Sequence, residues 1–129
     1  MWFLNKMRKK IIGSSIEIEI KGTKKTKTIK AKIDTGADRS SICKSLIERI
    51  GRPKTIKRVM VKNAFDRKKR DMVKLSLKIR GIKNKFFKTE FTIASRENLR
   101  YRVLIGNNTL KKLYVLIDPR KWNLKKNIS

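Results

Sequence analysis

Apolar residues at every second position dominate this chain, and that rhythm constrains its fold more than any other feature. Ile16, Ile18 and Ile20 alternate with Glu17 and Glu19, and Val73, Leu75, Leu77 and Ile79 alternate with Lys74, Ser76, Lys78 and Arg80. Phe87, Thr89, Phe91 and Ile93 form a third such series. Successive side chains of a strand point to opposite faces, so a period of two predicts half-buried strands of an antiparallel sheet. Two continuous apolar runs, 103–105 and 113–117, predict strands covered on both faces.

Helical spacing is confined to two short stretches. Residues 41–51, SICKSLIERIG, put Ile42, Leu46 and Ile50 on one stripe, with Gly51 suited to end a helix and Pro53 to stop its continuation. Residues 106–113, GNNTLKKL, open polar and continue with helical spacing, which predicts a second short helix. The basic stretches 21–27 and 65–71 lie between alternating runs and read as hairpin ends. A chain of 129 residues with a 39% apolar share supports one domain with a real core. The expectation is a mainly β single domain with one or two short helices over residues 11–120, flanked by basic end segments at 1–10 and 121–129.

Composition then narrows the chemistry. The chain has 37 Lys and Arg against 10 Asp and Glu, a formal charge of +27. Such a surface attracts nucleic acid, acidic peptide or lipid headgroups in a salt-dependent way, and a merely solvated lysine-rich surface is the competing explanation. Histidine is absent from the sequence. That excludes Ser-His and Cys-His nucleophile pairs and deprives a zinc site of its commonest ligand. The single cysteine, Cys43, allows no internal disulfide, so a reducing, cytoplasmic setting is expected. With no histidine to activate it, Cys43 is expected to be a buried small apolar side chain. The opening MWFLNKMRKKIIG places apolar residues before charges, the reverse of a secretory signal, and no run approaches a membrane span.

The stretch that retains chemical potential is 31–42, AKIDTGADRSSI. A strand running into Asp34-Thr35-Gly36 puts a carboxylate at a sharp turn, where glycine permits close backbone approach and neighbouring N–H and hydroxyl groups can hold the acid. Two such carboxylates brought together share one proton; the ionised oxygen can activate water while the protonated one polarises a carbonyl. The competing reading is a plain turn, since Asp, Thr and Gly are all turn residues. Its context favours a site: an apolar strand precedes it, and a second apolar strand closed by glycine, VLIGNNTL, follows late, at 103–110.

Together these two features resemble the retropepsin-like aspartic proteases. IDTGAD is similar to the retroviral form, and SSICKSLIERIG resembles the helix-bearing cellular members. IIGSSIEIEI, AKIDTGA, KKRDMVKLSLKI and YRVLIGNNTLKKLYVLIDP are similar, over most of 11–119, to the retropepsin-like family often labelled putative ATP-dependent zinc proteases. Neither part of that label has matching residues here: histidine is absent and no glycine-rich phosphate loop occurs. No cofactor and no metal are therefore expected.

The resemblance implies a closed β-barrel acid-protease lobe that works as a homodimer. It makes Asp34 the catalytic acid/base, one from each subunit, acting on a peptide or protein substrate by direct attack of water. Thr35 and Gly36 become the active-site support, Thr35 bonding across the dimer, and Ala37 and Asp38 the substrate-binding positions. The arithmetic agrees, because the chain has one Asp-Thr-Gly, and Asp118, followed by Pro119, reads as a strand-ending turn. Two departures from the retroviral pattern stand out. Asn107 follows Gly106 where that pattern has a bracing arginine, and the candidate flap from Arg58 to Ile79 lacks glycine and carries Arg67, Lys68, Lys69 and Arg70 at its expected turn. A substrate beneath that turn meets positive charge, so acidic peptides are the expected preference, with a solvated loop as the alternative. The alternative function is a non-catalytic basic module of the same fold that binds nucleic acid or another polyanion.

Overall fold

The alternating runs become the walls of a barrel. The computed structural model describes residues 10–62, 67–95 and 100–121. The described elements are, in order, β1 (Lys10–Ile12), β2 (Ser15–Lys21), β3 (Thr26–Ile33), β4 (Ser40–Cys43), α1 (Lys44–Ile50), β5 (Lys57–Lys62), β6 (Arg67–Ile79), β7 (Lys83–Ala94), β8 (Val103–Ile105), α2 (Asn107–Leu110) and β9 (Val115–Ile117). Six strands hydrogen-bond in the order β2-β3-β8-β4-β7-β6, and β6 pairs back onto β2 at Glu19–Lys78, Ile20–Leu77 and Lys21–Ser76. The sheet thus closes on itself and leaves no unpaired wall. β5 lies outside the ring as the second arm of a hairpin with β6.

The inward side of each wall is the apolar series seen in the sequence. Ile18, Ile20, Val73, Leu75, Leu77, Phe91, Val103 and Ile105 are all no more than 2% exposed. Each such side chain contributes roughly 1.5–3 kcal/mol by leaving water. The α1 helix adds Leu46, Ile47 and Ile50 to the same core. Gly51 ends it at φ 99°, and the β2–β3 turn covers its last carbonyls: Thr23 N–H donates to Gly51 O and Lys24 N–H to Ile50 O, both at 2.9 Å. Among the described residues the single mainly β domain with two short helices is the fold observed.

Four local expectations are corrected. The sheet is mixed, because β3–β8 and β4–β7 are parallel; periodicity reports which face is buried and carries no strand direction. Residues 40–43 form a buried strand and the helix starts only at Lys44. Placed between β7 and β8, this segment pairs its backbone on both sides, which a helix there would forgo. The run 113–117 is not covered on both faces: only 115–117 is strand, paired with β1, and Leu116 is 51% exposed beside Ile11 at 50%. This two-stranded ribbon flanks the barrel. Finally, Arg67, Lys68, Lys69 and Arg70 are not at a turn but in β6, opposite Lys62 to Val59 of β5.

Other expectations hold. Cys43 is fully buried. Asp118 ends β9 in a turn, its carboxylate accepting from Arg120 N–H at 3.0 Å and Arg120 Nε at 3.2 Å. Those bonds hold the Asp118 carboxyl below its ordinary value. Among the described residues no helix is long and apolar enough to cross a membrane. The end segments with Trp2 and Trp122, and the hairpin tip 63–66, lie outside the described residues.

Candidate active site

β3 and β8 run parallel, with Lys32 beside Leu104 and Ile33 beside Ile105. Where they end together, Asp34 N–H donates to Ile105 O at 3.0 Å, and the chain leaves the barrel wall. It turns at once: Ala37 N–H donates to Asp34 O at 3.3 Å and Gly36 N–H to Asp34 Oδ1 at 2.9 Å. The carboxylate is held by its own turn while Asp34 stays half-buried and Thr35 and Gly36 are exposed. The buried core with Ile33 and Ile105 lies beneath and an exposed surface above, which suits an acid that must meet something outside its own chain.

The loop is gripped from below by the start of α2. Asn107 N–H donates to Ala37 O at 2.8 Å and Asn108 N–H to Asp38 O at 3.1 Å, so two N–H groups that a helix start leaves unpaired are used on the loop. Asn107 Nδ2 donates to Thr35 O at 2.9 Å. Gly106 permits this approach, since a Cβ there would lie 2.6 Å from the Arg39 carbonyl.

A buried chain of hydroxyls completes the support. Asn108 Oδ1 accepts from Ser40 N–H at 2.8 Å and from Ser40 Oγ at 3.0 Å. Ser40 has then used its only proton, so at 2.6 Å it is the Thr109 hydroxyl that donates to Ser40 Oγ, and at 2.8 Å the Thr89 hydroxyl that donates to Thr109. Gly106 N–H donates to Ser40 Oγ as well, at 3.0 Å. Ser40, Thr89 and Thr109 are all 0% exposed, and this directional chain ties β4, β7 and α2 together under the Asp34 loop.

The five residues singled out from the sequence, Asp34, Thr35, Gly36, Ala37 and Asp38, therefore form one loop, but Asn107 does not brace the Asp38 carboxylate; its amide is spent on Thr35. Sequence reasoning missed Ser40, Thr89, Asn108 and Thr109 as its supports. The available signal was a hydroxyl within an apolar face, Thr89 in the series Phe87 to Ile93.

Cross-strand pairs of the β5–β6 hairpin fall on two faces. Arg58–Asp71, Met60–Lys69 and Lys62–Arg67 face each other on the side shared with Val73 and Leu75. Asp71 is clasped by Arg52 at 2.6 Å and Arg58 at 3.2 Å, while Lys62 and Lys69 face Arg67 and Met60 across the ladder. A depression of about 420 Å³ lined by Lys111, Lys112, Leu113, Tyr114 and Val115 shares no residue with the Asp34 loop. Among the described residues no three His, Cys, Asp or Glu side chains are grouped to hold a metal ion.

A closed six-stranded barrel whose parallel strand ends present Asp-Thr-Gly defines the retropepsin-like class. The solved structures agree on the fold. Simian foamy virus (mac) protease is 23% identical, with a TM-score of 0.52 over 75% of this chain and 91% of that one. EIAV protease, solved with the inhibitor HBY-793, is 15% identical, with a TM-score of 0.55 over 78% and 88%. A Legionella pneumophila protein of unknown function is 16% identical, with a TM-score of 0.60 over 88% and 96%. No curated protein matches. Residues 46–127, more than half of the chain, match the RimB-like family, described as retropepsin-like aspartic endopeptidase RimB, and the chain belongs to that family. The matched span begins after the Asp34 loop and includes the Gly106–Thr109 segment that supports it.

Proposed function

We propose that this protein is an aspartic endopeptidase that works as a homodimer, hydrolysing peptide bonds with water activated between two Asp34 carboxylates. The observation that carries this reading is the Asp34 loop: one carboxylate, aimed by Gly36 N–H at an exposed strand end, on a barrel of the aspartic-protease class. One chain supplies one such acid, and general acid/base hydrolysis of an amide needs a second proton-exchanging group facing it. A second copy related by a two-fold axis supplies it. The ionised member takes a proton from water as the oxygen attacks the peptide carbonyl, and the protonated member hydrogen-bonds the carbonyl oxygen. Thr35 supports the pair across the axis, Gly36 offers main chain to the substrate, and Ala37 and Asp38 line the substrate path.

The β5–β6 hairpin is the flap of this reading, and its Lys62 and Lys69 favour substrates with acidic side chains. Family membership supports the peptidase over the alternative of a non-catalytic polyanion-binding module. The test is Asp34→Asn. The variant keeps its fold and its mass in solution, and peptide cleavage falls by on the order of 10³-fold; undiminished cleavage by a clean preparation overturns the reading.

A further inference from the structure

The Thr35 carbonyl and the Gly36 N–H belong to one peptide group. A trans peptide is planar, with its C=O and N–H pointing in opposite directions, and no cis peptide occurs among the described residues. The two ends of this group have different partners. At one end Gly36 N–H donates to Asp34 Oδ1 at 2.9 Å; at the other, Thr35 O accepts from Asn107 Nδ2 at 2.9 Å. The first bond aims the carboxylate. The second comes from 72 residues away and is the side-chain bond that resists rotation of the whole group.

We infer that Asn107 is a positioning residue for the Asp34 reaction: its amide locks the Thr35–Gly36 peptide so that Gly36 N–H stays on the Asp34 carboxylate. This rests on the peptidase reading given above. Any residue but proline at 107 can supply the main-chain bond to Ala37 O. The bond to Thr35 O needs a side-chain donor of asparagine's length. Thr35 and Gly36 are exposed, so apart from the local Gly36–Asp34 bond it is the Asn107 amide that opposes a peptide flip, and a flip turns a carbonyl oxygen toward Asp34 in place of a donor.

The sharpest variant is Asn107→Asp, which keeps size and shape but faces the Thr35 carbonyl with an acceptor. At neutral pH kcat is expected to fall about 10²-fold, the scale of a small misplacement of a reacting group, with KM within two-fold. Protonation restores a donor, so the ratio of variant to unmodified kcat should recover at least ten-fold as pH is lowered towards about 4, the ordinary range of aspartate. Asn107→Ser, which cannot reach, loses activity without that recovery. The Gly36 amide proton resonance reads the same bond without substrate and should move in Asn107→Asp at pH 7 and return on acidification.

A kcat for Asn107→Asp within two-fold of the unmodified protein, a loss with no acid recovery, or an unmoved Gly36 resonance overturns the inference. Asp34→Asn separates the two failures. If that variant still cleaves, the peptidase reading falls; if it is inactive and Asn107→Asp is unimpaired, only the role of Asn107 falls.

Discussion

Ser40 makes three side-chain hydrogen bonds beneath the Asp34 loop. Its hydroxyl accepts from Gly106 N–H and Thr109, both buried, and donates to the half-buried Asn108. Ser40→Ala strands a buried N–H and a buried hydroxyl, and should cost roughly 1–3 kcal/mol. Thr89→Val sits at the far end of the same chain, removes one donor and keeps the shape, and should cost about 1 kcal/mol or less. Urea unfolding orders the two, and equal losses would contradict the directional chain. This network was illegible in the sequence, whereas the Asp34 loop it supports was legible. Asp34-Thr35-Gly36 is contiguous, so its turn reads directly. The Ser40–Thr109 contact spans 69 residues, and nothing in either neighbourhood names the other.

At the scale of elements, period two located β2, β6 and β7 because each buries one face against the same core. It missed β4, since SSIC is buried throughout and shows no alternation, and it missed β1, which has three residues. It also placed the basic quartet in a turn, because charge runs mark loops more often than strands; here the hairpin projects beyond the core, so its strands need no apolar face. That placement sets a specificity prediction. Replacing Lys62 and Lys69 with glutamine should lower kcat/KM for a glutamate-rich peptide about ten-fold at low salt, leave a neutral peptide within two-fold, and lose its effect near 0.5 M NaCl, where screening is short-ranged. Equal loss on both peptides would remove the hairpin from substrate recognition. A separate prediction concerns α1: Gly51→Ala should destabilise by about 1–3 kcal/mol in urea, since a side chain at φ 99° is strained and its Cβ would sit 2.3 Å from Thr23 Oγ1.

At the scale of the whole molecule, a charge of +27 on each chain would set self-association of the proposed dimer against capture of acidic peptides. Two such subunits repel, so the dimer should tighten as salt rises from low values, while capture of acidic peptides weakens. Sedimentation equilibrium over a salt series gives the first trend; a dimer that loosens with salt would point to an interface held by charge pairs. In the proposed enzyme two Asp34 carboxylates from two chains make one site. Cleavage is therefore to be measured with wild-type subunits at fixed concentration, exchanged with a nine-fold excess of Asp34→Asn subunits at moderate salt. Random pairing leaves about one tenth of wild-type subunits in fully wild-type dimers, so activity should fall to about one tenth. Activity unchanged by the excess would contradict the shared site and place the catalytic machinery within a single chain.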